Sequence, residues 1–304
     1  MVTGRSGGGG GGGGNGGTGG GSATPMFQEW LQQLSNSGKL KPNENITEQL
    51  KEELMKTWKE LEDRFKGTEA KELATICSKA GEVPTEGIGN GHHSMKTFCK
   101  GMMEVRYFIS GLKSGNKNTD PVQVETVQAH EWYPRCIVGA ATLSTIYGDH
   151  CKLGDVVQKV QGQMNSKLEG HKGKGAELDK CKGLTDSDIL FGKSILRDRI
   201  RSWAQADRGR ANTDHSKNRA ILRVGSVMLD RDNMCGTAEK QRKQQLKNNT
   251  KSMTSFLRIG DNAEVGSSDS RNLFDVLVND DLTLPPETLN NILTPIVNTA
   301  STGQ

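Results

Sequence analysis

The residues with the most evident chemistry are six cysteines: Cys77, Cys99, Cys136, Cys151, Cys181 and Cys235. Their number is even, and none sits in a C-x-x-C pair. The usual zinc and thioredoxin spacings are therefore absent. Well-spaced cysteines in a chain with a thin core point to disulfides made in an oxidising compartment rather than to buried thiols. Two triplets, Asn45-Ile46-Thr47 and Asn248-Asn249-Thr250, permit N-glycosylation.

Two other groups carry catalytic residue types. Asp149-His150-Cys151 contains the members of a nucleophilic triad, but folding brings triad members together from distant positions, and they rarely adjoin. Cys151 is better spent as half of a disulfide. His92-His93 follows the glycine-rich Gly87-Ile88-Gly89-Asn90-Gly91. Adjacent histidines point in different directions on regular structure, and these glycines do not follow a strand of a βαβ unit, so neither a metal site nor a phosphate cradle is expected. No H-E-x-x-H, G-x-S-x-G or P-loop pattern occurs. The sequence predicts no enzyme, no catalytic residue, no metal ligand and no cofactor.

A basic strip is the strongest rival signal. Lys193, Arg197, Arg199, Arg201, Arg208, Arg210, Lys217, Arg219 and Arg223 form one cluster, and Lys240, Arg242, Lys243, Lys247 and Lys251 a second. Asp198, Asp207 and Asp214 partly neutralise the first, and charge runs are usually solvated faces. The functional alternative is an exported or intracellular module that holds a polyanion. Its contacts would be Arg197, Arg201, Arg208, Arg210, Arg219, Lys240, Arg242 and Lys243. Aromatics for base stacking are scarce there, so nucleic acid is not an expected partner.

The elements that position these residues are helical. Leu50, Leu54, Trp58, Leu61 and Phe65 recur every three or four residues, with Glu52, Glu53, Lys56, Glu60 and Asp63 on other faces. Asn45 and Glu48 offer a capping start. Phe27, Trp30, Leu31 and Leu34 mark an earlier helix, and Leu73, Ile76 and Cys77 a short one. Ser94 to Leu112 carries Phe98, Met102, Val105, Ile109 and Leu112. Glu131 to Tyr147 carries Trp132, Cys136, Ala140, Leu143 and Tyr147, with Pro134 in its first turn and Gly139 allowing close packing. Leu153 to Leu168 is a weaker helix. Glu169 to Lys182 and Ala206 to Arg219 read as loops. Thr185 with Asp188 caps a helix through Trp203. Ile221 to Leu229 is helix or strand, and Thr237 to Ile259 a charged helix. Leu273 to Val278 and Leu289 to Val297 read as short helices.

The implied class is all-α: a disulfide-stapled helical bundle with long polar loops and a disordered Gly-rich N-terminal tail. The chain has 304 residues, 33% of them hydrophobic, with a net charge of +4. Residues 1–24 are glycine-rich, have no core to offer and lack the apolar stretch of a signal peptide. A cysteine-containing helical domain is expected over 25–185, and a less compact helical region over 186–304. No stretch approaches the roughly 18 apolar residues of a membrane span.

Helix geometry constrains the pairing. In a continuous helix from Glu131, Cys136 and Cys151 would stand about 22 Å apart, while a disulfide needs Cα atoms within about 7 Å. They cannot pair. An antiparallel neighbour would place Cys99 level with Cys151, so Cys99–Cys151 is one staple and Cys77–Cys99 its rival.

The chain also resembles a known family. Met26-Phe27-Gln28-Glu29-Trp30-Leu31, Phe98-Cys99-Lys100 running to Val105-Arg106-Tyr107-Phe108, Tyr133-Pro134-Arg135-Cys136-Ile137-Val138-Gly139 and Ile146-Tyr147-Gly148-Asp149-His150-Cys151 are similar to the N-terminal extracellular alpha-type domain of the schizont-infected cell agglutination (SICA) variant antigens of a malaria parasite. Leu190-Phe191-Gly192 and the glycine-rich opening resemble that family too. The resemblance covers roughly residues 25–300. It implies a non-enzymatic antigen module displayed on the infected host red cell, serving antigenic variation, with cell adhesion as a second role. The implied partners are host antibodies and a red-cell or endothelial receptor. Members of the family are longer and carry a C-terminal membrane span. The resemblance thus implies an anchor outside this chain, which then is a fragment, a truncated member or a first-exon product.

Overall fold

A computed structural model describes residues 25–41, 44–66, 71–85, 91–115, 122–213 and 224–259. The expected tail over 1–24 and the short helices expected at 273–278 and 289–297 lie outside them. The described residues form nine α-helices: α1 (Pro25–Asn36), α2 (Ile46–Phe65), α3 (Lys71–Ile76), α4 (Gly91–Ile109), α5 (Trp132–Thr142), α6 (Leu153–Lys172), α7 (Asp186–Thr213), α8 (Val224–Cys235) and α9 (Glu239–Leu257). The all-α class holds. An antiparallel pair of two-residue strands, β1 (Leu112–Lys113) and β2 (Gln123–Val124), closes the loop after α4. Periodicity could not reveal strands this short.

The apolar stripes seen in the sequence are the core. Leu54, Trp58 and Leu61 of α2, Met102, Val105 and Ile109 of α4, and Ala140 and Leu143 at α5 are all buried. From Tyr133 to Thr142 every residue of α5 is buried, so α5 is the central rod. A helix buried on every side needs small residues where its neighbours cross it. Gly139 of α5 lies against Ile109 of α4, and Gly192 of α7 lies against Ile137 of α5; a methyl at either glycine would overlap the isoleucine. α5 then runs into one π-helical segment, Leu143–Tyr147.

Two elements close as the sequence predicts. Asn45 caps α2 by accepting the Glu48 backbone N–H at 3.3 Å. Thr185 donates its backbone N–H and its hydroxyl to Asp188 at 2.8 and 2.9 Å. The other Asp188 oxygen accepts the Tyr133 hydroxyl at 2.9 Å, which ties the start of α7 to α5.

Three stretches differ from the sequence reading. Ala206 to Arg219 was expected to be a loop, yet α7 continues to Thr213. Alanine and arginine are strong helix formers and need no apolar stripe to extend an existing helix. α6 runs on to Lys172 because Leu168 and His171 are buried there, and a 3₁₀ turn, Lys180–Gly183, presents Cys181. A further 3₁₀ turn, Cys77–Glu82, takes up the start of the loop expected from Gly81.

Candidate functional site: the disulfide framework and its polar knots

All six cysteines are paired. Cys77 bonds Cys99, Cys136 bonds Cys181 and Cys151 bonds Cys235, with Cα separations of 5.6, 5.3 and 5.5 Å. The exclusion of Cys136–Cys151 holds, and so does the Cys77–Cys99 alternative. The Cys99–Cys151 staple is overturned. The two cysteines do lie near one level of the bundle, because Phe98, next to Cys99, packs against His150, next to Cys151. Successive helix residues are turned by about 100°, so Cys99 faces away from His150, toward the 3₁₀ turn that holds Cys77.

Asp149-His150-Cys151 is a junction rather than a triad, and each of its members reaches another helix. Asp149 accepts both oxygens' worth of bonds from Arg231 of α8, at 3.1 and 3.0 Å, and the Nε–H of Arg242 of α9 at 2.8 Å. Asn249 of α9 donates its amide to the carbonyls of Gly148 and His150, both at 2.8 Å. Cys151 is bonded to Cys235 at the end of α8, whose sulfur also accepts the Cys151 backbone N–H at 3.0 Å. His150 is fully buried against Phe98. Burial above all, then the cations Arg231 and Lys152, push its pKa down to about 3. The neutral ring accepts the Lys152 backbone N–H at Nδ1, 3.1 Å away. With so low a pKa the ring is not poised as a proton-accepting base.

A second knot joins α2, α5 and the segment after β2. Arg64 and Arg135 both donate to Oε2 of Glu125, and both guanidinium groups lie 4.8 Å from the centre of the Phe108 ring. Burial alone would raise the Glu125 pKa, but the two arginines hold it below its ordinary value. A third cluster links α3, α4 and α6: the Tyr107 hydroxyl donates to Glu72, which also bonds His171 Nε2 at 2.8 Å. Burial and that carboxylate raise the Tyr107 pKa, so the phenol stays protonated. A shallow cleft beside α2 is lined by Lys39, Glu53, Glu60, His130 and Arg135, with Lys39 Nζ 2.9 Å from His130 Nε2. Burial raises the Glu60 pKa there, against Arg135. These are charge pairs bridging helices, and sequence patterns gave no sign of them because their members lie far apart in the chain.

The described members of the basic strip stand on α7 and α9. Arg242 is committed to Asp149. Lys243 lies 3.9 Å from Glu239 on its own helix, and Lys240 is exposed. Arg197 and Arg201 are half-buried on α7. Arg208 and Arg210 stand on the backbone of α7, and Arg219 lies outside the described residues. His93, in the first turn of α4, is exposed. Among the described residues no helix is long and apolar enough to cross a membrane.

No curated protein and no solved structure matches the chain. A family model does: the SICA extracellular alpha domain matches residues 24–203, which contain α1 to α6, most of α7 and the two staples Cys77–Cys99 and Cys136–Cys181. On that match over more than half of its length, the chain belongs to the SICA extracellular alpha domain family.

Proposed function

We propose that this chain is a non-enzymatic variant surface antigen module, displayed on the surface of the infected host red cell and acting in antigenic variation. The family match over residues 24–203 carries the reading. The framework supports it: three disulfides and several buried ion pairs fasten helices that share one apolar core. Such cross-links suit an oxidising exterior and hold the fold while exposed residues vary. Host antibodies and a red-cell or endothelial receptor then meet the outer helix faces, such as Lys240, Lys243 and Lys251 of α9.

Antibodies raised against the folded chain should label intact, unpermeabilised infected cells, and trypsin treatment of those cells should remove the signal. Labelling that appears only after permeabilisation would sink the reading. If the intracellular protein then bound heparin with steep salt dependence, the polyanion-binding module would replace it.

A further inference from the structure

Two of the three disulfides are sealed in the core. Cys77, Cys99, Cys136 and Cys181 are at most 2% exposed. Cys151 and Cys235 are only half-buried. A soluble reductant must reach a sulfur to attack it, so access alone singles out Cys151–Cys235.

We propose that Cys151, Cys235 and His150 form a redox-gated site for a thiophilic divalent cation, Zn²⁺ by ligand type. One ligand atom from each residue lies within 4.8 Å of the others, with Cys235 Sγ 3.9 Å from His150 Nδ1. Tetrahedral zinc with two sulfurs and one imidazole nitrogen sets those atoms roughly 3.5–3.8 Å apart. The nitrogen is therefore nearly in place for Cys235, and the two sulfurs must separate.

The ligands stay together once the S–S bond is gone. Arg231 and Arg242 still grip Asp149, and Asn249 still holds the carbonyls of Gly148 and His150. Those bonds tie α8 and α9 to the 148–151 segment independently of sulfur, so the reduced site is preorganised. Cation binding displaces one hydrogen bond of the imidazole, the one that Nδ1 accepts from the Lys152 N–H. That lone pair turns to the cation, and the Lys152 N–H gives it up. Because Cys151 and Cys235 are 84 residues apart, no sequence spacing could reveal the set.

The chemistry balances. A dithiol reductant gives up two electrons and two protons and becomes a disulfide. The Cys151–Cys235 bond breaks and each sulfur becomes a thiol. Binding of the cation then releases both thiol protons to solvent, which leaves two thiolates and a neutral imidazole on one divalent ion.

The test uses the full chain. It is treated with dithiothreitol without denaturant, desalted anaerobically and mapped by alkylation. Cys151 and Cys235 should be alkylated while Cys77, Cys99, Cys136 and Cys181 are not. Co²⁺ added to the unalkylated, reduced protein should give thiolate-to-cobalt charge-transfer bands saturating at one equivalent. Zn²⁺ should displace it and raise the melting temperature of the reduced protein, and a chelator should reverse that rise. The Cys235→Ser variant should lose the bands, and His150→Gln should bind at least about tenfold more weakly. Should His150→Gln not fold, the melting shift with Zn²⁺ in the unsubstituted protein still decides. Reduction of a buried pair first, bands that persist in Cys235→Ser, or no melting shift with Zn²⁺ would each overturn the proposal.

Discussion

The ring of Phe98 lies 4.4 Å, centre to centre, from the imidazole of His150. The contact buries a titratable group completely at the junction of α4 with the segment that leads to α6. Its pKa is pushed down to about 3, by burial first, while the unfolded chain takes up that proton near pH 6.5. Between those values the unfolded state binds one more proton than the folded state. Stability therefore falls as pH falls, by up to about 1.4 kcal/mol per pH unit. Above about pH 6.5 the group contributes no slope. Urea unfolding at pH 7.5, 6.5, 5.5 and 5.0 should show this, and His150→Gln should flatten the curve. An unchanged slope in the variant would assign the effect to another group.

Glycine at the α5–α7 crossing should tolerate nothing larger. A methyl at Gly192 overlaps Ile137, so Gly192→Ala should destabilise by about 1–3 kcal/mol through overpacking. Gly162 of α6 gives the contrast, because nothing lies within 4 Å of a Cβ there. Gly162→Ala should stabilise by about 0.5–1 kcal/mol from helix propensity. Thermal melts of the two variants should shift in opposite directions.

Trp58 of α2 is 1% exposed and meets the edge of Trp203 of α7 with ring centres 5.4 Å apart. Trp58→Ala should cost about 3–5 kcal/mol. Denaturant titration followed by circular dichroism checks it; an unmoved midpoint would mean that the α2–α7 contact is not part of the core.

Much of this packing is legible in the sequence, and the limit has a physical origin. Leu50, Leu54, Trp58, Leu61 and Phe65 repeat at the helical period, so α2 and its buried face can be read directly. Periodicity also places Cys99 near the level of Cys151. It does not say which way each side chain turns about the axis, and one residue of rotation hands that contact to Phe98. The charged knots are less legible still. Arg242 looks like one more lysine-rich helix surface until Asp149, far away in the chain, is found beneath it. Likewise α7 outruns its apolar stripe and continues to Thr213, where the sequence shows no helical period.

Asp149 should matter more than Arg242, one of the two arginines that grip it. Arg231 is 2% exposed and donates two bonds to this carboxylate; it keeps only Asp232 when Asp149 is replaced. Removing one partner of a buried pair leaves a charge poorly compensated, so Asp149→Asn should cost about 3 kcal/mol. Arg242 is about one-third exposed, and solvent can replace much of what it gives. Arg242→Ala should cost no more than about 1 kcal/mol. Because Asp149 and Arg242 are partners in one ion pair, combining Asp149→Asn with Arg242→Ala should destabilise by less than the sum of the two single changes. Urea midpoints for the unsubstituted protein and the three variants measure the cycle. Strict additivity would mean that the Asp149–Arg242 pair contributes nothing of its own to holding α9 to the bundle.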